Sequence, residues 1–132
     1  MFYIEHYMLR TNNPEKSIEF YKEVMRMEFV CHDPRHSENP PCDIYFLKDP
    51  ETDFMIELKH YHGKEFNNTG DVFGHVGYRV DDIKPIVEKA EALGYSYWTK
   101  NSTSSFGKKY LIATIVTPEG VDLHLVQKLS DF

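Results

Sequence analysis

The chain has 132 residues, of which 41% are hydrophobic and 27% charged, and this composition is typical of a globular protein with a single core. Its 15 Lys and Arg against 21 Asp and Glu give a net charge of -6, which argues against a nucleic-acid partner because phosphate binding needs a basic face. No apolar run approaches the roughly 20 residues that span a bilayer, and the first residues lack a signal-peptide pattern. We therefore expect a cytoplasmic protein that has no membrane partner.

In the first half of the chain, alternation and helix-capping patterns predict one strand, one helix and three further strands. Residues 3–10 alternate as a strand does. Asn13-Pro14-Glu15 is typical of a helix N-terminus, so a helix is expected from there to about residue 26. The segment Asp33–Pro41 carries three prolines and is expected to be a loop. The three further strands are predicted at Glu28–His32, Asp43–Leu47 and Phe54–Lys59.

The second half repeats this order of elements. His75–Val80 reads as a strand, and a helix that Asp81 or Asp82 caps should follow and end at Gly94. Between the halves, residues 60–72 are polar and rich in His, Asn and Gly, which indicates a connecting loop. The remaining strands are predicted at Tyr95–Lys100, Lys109–Val116 and Val121–Val126.

A weak internal repeat places polar residues at corresponding positions of the two halves. His6–Arg10 is echoed by His75–Arg79 at an offset of 69 residues, and Ile56–Leu58 by Leu123–Leu125 at an offset of 67. Three imidazoles and one carboxylate at the echoed positions would suit a borderline divalent metal. The candidate ligands are His6, Glu57, His75 and His124.

Strand alternation predicts where these four side chains point. Glu57, His75 and His124 each lie opposite the apolar row of their own strand. If the helices cover the apolar rows, these three side chains point into the uncovered side of the sheet. His6 fits the pattern less cleanly, because apolar side chains such as Ile4 share its face.

The chain resembles glyoxalase I and its relatives in the vicinal oxygen chelate superfamily, from residue 3 to about residue 127. The resemblance is carried by the motifs His6–Arg10, Ser17–Tyr21, Gly74–Gly77 and Pro118–Gly120. It implies an α+β fold of paired βαβββ modules that form a curved sheet around a metal site, with the helices on the outer face. It also implies one domain over residues 1–132, with modules at about 1–60 and 72–128, and pairing of two chains into a homodimer.

The resemblance also implies a chemistry. The metal positions of the family carry over to the four candidate ligands, and the ion would be one of Ni, Co, Zn, Mn or Fe. In glyoxalase I the metal assists a proton shift in the hemithioacetal of methylglyoxal and glutathione, through a stabilised enediolate. Arg10 matches a family arginine that contacts a substrate carboxylate, a role that suits a planar guanidinium.

This chain departs from glyoxalase I at the fourth ligand. His124 stands where glyoxalase I has a glutamate that acts as a base, and a metal-bound imidazole offers no comparable lone pair. Glu57 is therefore the remaining candidate for the catalytic base. Two glutathione contacts of the family also differ: an asparagine aligns with Tyr61 and a loop lysine with Phe106, near which Lys108 and Lys109 could substitute.

Two other functions are compatible with the sequence. His6, His75 and Glu57 could form the two-histidine, one-carboxylate set of a non-haem iron dioxygenase, although dioxygenases of the superfamily carry the acid on the strand that here holds His124. A non-catalytic small-molecule binding or resistance protein on the same fold is the third hypothesis. The four retained ligand positions favour an enzyme over this third hypothesis.

Two smaller groups of residues are interpreted as having no metal-binding or disulfide-forming role. His60 and His62 follow Glu57 closely, but in the expected polar loop they are interpreted as solvated rather than as metal ligands. Cys31 and Cys42 form no CxxC motif or disulfide framework and are expected to be free thiols.

Overall fold

A computed structural model describes residues 1–103 and 107–130 of the chain, so Phe106 lies outside the described residues. The chain divides into two compact units, Met1–Asn68 and Thr69–Phe132. Each unit consists of a strand, a helix and three further strands, which confirms the predicted α+β class and the βαβββ order.

The first unit is a four-stranded mixed sheet with one helix. Its strands follow the order β1-β4-β3-β2, and β1 pairs in parallel with β4 while the other pairs are antiparallel. The first and last strands of the unit are therefore neighbours. The elements are β1 (His6–Arg10), α1 (Pro14–Glu23), β2 (Glu28–Arg35), β3 (Cys42–Lys48) and β4 (Met55–Tyr61).

The second unit has the same topology. Its sheet follows the order β5-β8-β7-β6, with β5 parallel to β8. The weak sequence repeat thus corresponds to a repeated arrangement of strands. The elements are β5 (His75–Val80), α2 (Lys84–Ala92), β6 (Tyr97–Thr103), β7 (Lys109–Val116) and β8 (Asp122–Ser130).

Local sequence signals explain the start of α1 and the end of α2. The Asn13 side chain accepts a hydrogen bond of 3.1 Å from the backbone N–H of Lys16, as expected of an N-cap, and Pro14 takes the first helical position. Gly94 follows α2 with a φ of +93°, a left-handed conformation that ends a helix at little steric cost. In the described part of the chain, no helix is long and apolar enough to cross a membrane.

The core of each unit consists of the apolar rows that alternation predicted. In the first unit Ile56 and Leu58 of β4 are fully buried, and α1 packs against β2, β3 and β4. In the second unit Leu123 and Leu125 of β8 are fully buried, and α2 packs against β6 and β7. The side chains that alternate with these rows are thereby turned to the other face of each sheet.

The structure corrects several predicted boundaries, two of which fall at predicted loops. The expectation that Asp33–Pro41 is entirely loop is wrong, because β2 continues to Arg35 and Pro34 pairs with Asp43 of β3. A proline is tolerated there because β2 is an edge strand and can dispense with one backbone donor. The predicted loop over residues 60–72 also begins too early, because β4 extends to Tyr61 through its pairing with β3. Both cysteines are free thiols as predicted, Cys31 exposed and Cys42 buried.

Candidate metal centre

The first unit brings two of the predicted ligands together. His6 pairs with Met55 and Met8 with Glu57 across the parallel β1–β4 ladder, so His6 and Glu57 share one face of the sheet. The His6 Nε2 and Glu57 Oε1 atoms lie 3.9 Å apart, and the side chains are 44% and 19% exposed. An imidazole and a carboxylate thus face the same space, with the carboxylate more sheltered from water.

Arg10 lies on this same face, at the other end of β1. Its guanidinium carbon is 5.3 Å from the centroid of the Phe66 ring, a distance at which a cation and an aromatic face attract. The Asn12 side chain anchors Phe66 by donating to its carbonyl oxygen at 2.8 Å and accepting from its N–H at 2.9 Å. Lys59, the partner of Arg10 in the ladder, adds a second positive charge to this end of the face.

The second unit brings the other two predicted ligands together. Gly77 pairs with His124 across the parallel β5–β8 ladder, so His75 and His124 share a face. Their rings stack with centroids 3.8 Å apart and an angle of 13° between the planes. Burial and the positive charges of His75 and Lys100 lower the pKa of His124, and Asp122 opposes this only in part. The neutral imidazole, which is the form that binds metals, is therefore favoured.

The donor set in each unit fits a borderline divalent metal. One unit supplies an imidazole and a carboxylate on one face, and the other supplies two stacked imidazoles on one face. Each pair is formed by the first and last strand of its unit. All four predicted ligands thus occur in echoed pairs.

A second group of histidines, which the sequence analysis missed, surrounds Asp43. His62 is exposed, as its interpretation as solvated implies, but its Nε2 also lies 2.5 Å from Asp43 Oδ2, and His32 and His36 contact the other carboxylate oxygen. His60 is also engaged, because its Nδ1 donates to the Thr11 carbonyl oxygen at 2.9 Å. The alternation of His60 with His62 indicates that these two side chains share a face. It does not indicate their proximity to Asp43, which lies on another strand.

The electrostatics of Asp43 follow from these contacts. Burial raises the pKa of its carboxyl group, but hydrogen bonds from His62, His32 and His36 outweigh burial and hold the pKa well below its usual range. The carboxylate is therefore ionised, and three imidazoles converge on one negative charge.

Comparison with known proteins gives a family match over nearly the whole chain. The model of the Glyoxalase/Bleomycin resistance protein/Dioxygenase superfamily matches residues 3–125. The lactoylglutathione lyase of Haemophilus influenzae is 31% identical over 96% of this chain and 93% of its own length. The lactoylglutathione lyase of Salmonella typhimurium is 30% identical over 92% of this chain and 90% of its own.

Solved structures show the same fold. Glyoxalase I from Zea mays superposes with a TM-score of 0.80 at 24% identity over 96% of this chain, which spans about half of that protein (45%). The trypanothione-dependent glyoxalase I of Leishmania major gives a TM-score of 0.75 at 22% identity, over 96% of this chain and 87% of its own. The resemblance inferred from short motifs is thereby confirmed.

Proposed function

Because the chain belongs to the Glyoxalase/Bleomycin resistance protein/Dioxygenase superfamily, we propose that it is a metal-dependent lyase of the glyoxalase I type. Its substrate would be a hemithioacetal formed from a small 2-oxoaldehyde and a thiol such as glutathione. Relatives named lactoylglutathione lyase support this proposal, since they match at about 30% identity over nearly the full length of both chains. The observation that carries it is the recurrence of a pair of candidate ligands on the first and last strand of each unit.

The proposed metal ligands are His6, Glu57, His75 and His124. When bound, a divalent ion with open positions would polarise neighbouring oxygens of the substrate. With one carboxylate among the ligands, the site would carry a formal charge of about +1 and would favour an anionic substrate. We propose that the ion is one of Ni, Co, Zn, Mn and Fe.

Glu57 would move the proton between the two neighbouring substrate carbons. A carboxylate accepts and returns a proton readily, whereas a neutral imidazole bound through one nitrogen cannot accept one at that atom. The Glu57 side chain is 19% exposed, so it is partly shielded from water while remaining accessible to a small molecule. His124 would act only as a ligand, because its surroundings favour the neutral form.

Arg10 would bind a carboxylate of the thiol part of the substrate. It lies on the same face as Glu57, and the Phe66 ring against its guanidinium limits the orientations of the side chain. A guanidinium held in this way can donate two parallel hydrogen bonds to a carboxylate. Lys59 would add to the attraction of an anionic substrate.

We further propose that residues 1–132 form one domain, with modules at about 1–60 and 72–128, and that two chains pair as a homodimer. Light scattering coupled to size-exclusion chromatography would test the pairing. A monomeric mass for the active, metal-loaded protein would contradict it.

The experiment that tests the function is a lyase assay on the metal-loaded protein and its Glu57→Gln variant. The protein is incubated with methylglyoxal and either glutathione or trypanothione, and product formation is followed spectroscopically. The variant is expected to lose on the order of 100-fold to 10,000-fold in kcat, the usual contribution of a positioned base. Glu28→Gln is the matched control, because Glu28 is exposed on β2, away from β1 and β4.

Metal content is measured in both variants, so that loss of the base is separated from loss of the ion. A metal-loaded wild-type protein that is inert with several thiols would overturn the proposal. Oxygen consumption with a catechol by the iron-loaded protein would replace it with the dioxygenase function.

A further inference from the structure

The three histidines around Asp43 form a cluster that the proposed lyase chemistry does not use. We define the Asp43 cluster as His32 of β2, His36 just after β2, Asp43 of β3 and His62 just after β4. These residues come from three adjacent strands, so the register of the sheet brings them together at one end of the first unit.

In the Asp43 cluster three imidazoles converge on one carboxylate. The Nε2 atoms of His32 and His36 lie 2.7 and 2.9 Å from Asp43 Oδ1, while that of His62 lies 2.5 Å from Oδ2. One donor atom each from His36, Asp43 and His62 can be chosen so that all lie within 4.8 Å of one another. Three imidazole nitrogens and a carboxylate are the ligands that zinc and neighbouring transition metals prefer.

The cluster is accessible from solvent, although its carboxylate is sheltered. Asp43 is 11% exposed, whereas the side chains of His36 and His62 are 59% and 39% exposed. An ion can therefore reach the histidines directly and meet a charged oxygen that is largely removed from competing water. This combination strengthens the attraction between a cation and the carboxylate.

The Asp43 cluster is on the opposite face of the sheet from Glu57. Phe46 pairs with Glu57, and Asp43 lies three residues before Phe46 along β3, so its side chain projects to the other face. His32 pairs with Tyr45, which shares the Asp43 face, and the two rings stack at 4.5 Å. The cluster is therefore distinct from the His6–Glu57 pair.

The segment that carries His36 is held in position by charged contacts. Arg35 donates from Nε to Asp33 Oδ2 and from Nη1 to Glu38 Oε1, both at 2.9 Å. The backbone N–H of His62 donates to the Pro41 carbonyl oxygen at 3.0 Å, which joins the end of the same segment to β4. The histidines need no large backbone movement to approach Asp43.

We propose that the Asp43 cluster is a second metal site, for Zn²⁺ or a similar transition-metal ion, with His36, Asp43 and His62 as ligands and His32 as a fourth. To bind the ion through Nε2, each imidazole would give up its Nε2 proton: a neutral ring would become protonated at Nδ1 instead, and an imidazolium would release the proton to water. Ligand atoms around a tetrahedral zinc are about 3.3 Å apart, so the change requires side-chain shifts on the order of 1 Å. The bound ion would fasten the β2–β3 connection to the end of β4.

The test is a titration of the chelator-treated, full-length protein with Co²⁺, followed by calorimetry and visible absorption. The wild type is expected to bind two equivalents, and His36→Gln/His62→Gln to bind one and to lose the intense absorption of four-coordinate cobalt. Glutamine can still donate a hydrogen bond to Asp43, so the fold should be kept, and circular dichroism checks this. His60→Gln is the matched control: it removes a neighbouring histidine that is bonded to Thr11, and two equivalents are expected.

A host variant separates this proposal from the lyase proposal. In Glu57→Gln/His124→Gln, which lacks two of the four proposed lyase ligands, one equivalent of Co²⁺ should still bind, and adding His36→Gln should weaken its binding at least about tenfold. Unchanged cobalt binding after substitution of His36 and His62 would overturn the second site, whatever the lyase activity. Loss of all binding in the host variant would overturn it too.

Discussion

Among the four proposed ligands, His124 is the one at which we expect this chain to depart from glyoxalase I. A glutamate at this position would supply both a second ligand charge and a base, whereas His124 supplies neither. The parallel β5–β8 ladder stacks it against His75, and the resulting burial and positive charge lower its pKa. In our proposal the proton transfer therefore depends on Glu57 alone.

This dependence on Glu57 predicts a rescue. Glu57→Gln should lose activity, and the double variant Glu57→Gln/His124→Glu should recover at least about tenfold in kcat, because the carboxylate returns on the other ligand strand. Steady-state lyase kinetics of the metal-loaded proteins would measure this. His124→Gln in the same background is the control, and equal recovery in both double variants would contradict a role for the carboxylate.

The two repeat-related arginines provide a test of substrate binding. Arg10 and Arg79 occupy echoed positions, and each lies over an aromatic ring, Phe66 and Tyr110 respectively, at 5.3 and 5.4 Å. Arg10→Ala should raise KM for the glutathione adduct about 10- to 100-fold, the effect of losing charge-assisted hydrogen bonds. Arg79→Ala is the control, and a similar rise in KM for both variants would argue against a specific role for Arg10.

At the scale of single elements, the Asn13 N-cap stabilises the start of helix α1. The Asn13 side chain satisfies the N–H of Lys16, which would otherwise lack an intrahelical partner. Asn13→Ala should lower the free energy of unfolding by about 1 kcal/mol, measured by urea denaturation, while Asn13→Asp should retain the cap. Equal losses in the two variants would show that the side-chain oxygen is not what stabilises α1.

Local signals predicted most of the elements, but pairing between strands decided their ends. Strand β7 has the predicted bounds because its alternation is regular, whereas β2 and β4 run further than predicted. Their extensions depend on partners in β3, which are distant in sequence.

The pairs His6–Glu57 and His75–His124 could be predicted from the sequence because the chain repeats itself. The Asp43 cluster could not be predicted, because its histidines converge on a carboxylate of another strand.

At the scale of the whole molecule, each unit supplies two of the four proposed ligands. An ion that these ligands hold would bind the folded chain and not the unfolded one, so it would stabilise the fold. Removal of the ion with a chelator should lower the midpoint of thermal unfolding, as followed by calorimetry. At a free metal concentration of about 100 times Kd, the stabilisation should be about 2.7 kcal/mol.

The matched control for this prediction is Glu57→Gln/His124→Gln under the same treatment. It should respond much less to chelation, with only the Asp43 cluster left to bind an ion. A chelator effect as large as that of the wild type would contradict the assignment of the four ligands.

Pro34 on β2 also limits the pairing of this sheet edge with strands of other molecules. The outer strand of a sheet presents unpaired backbone groups that can recruit a strand from another molecule, which is a common route to aggregation. On β2 the proline removes one donor, and the irregular register between Phe29 and Cys31 interrupts the row of backbone groups. This edge of the first sheet is therefore a poor template for further strands, although valine and phenylalanine side chains are exposed along it.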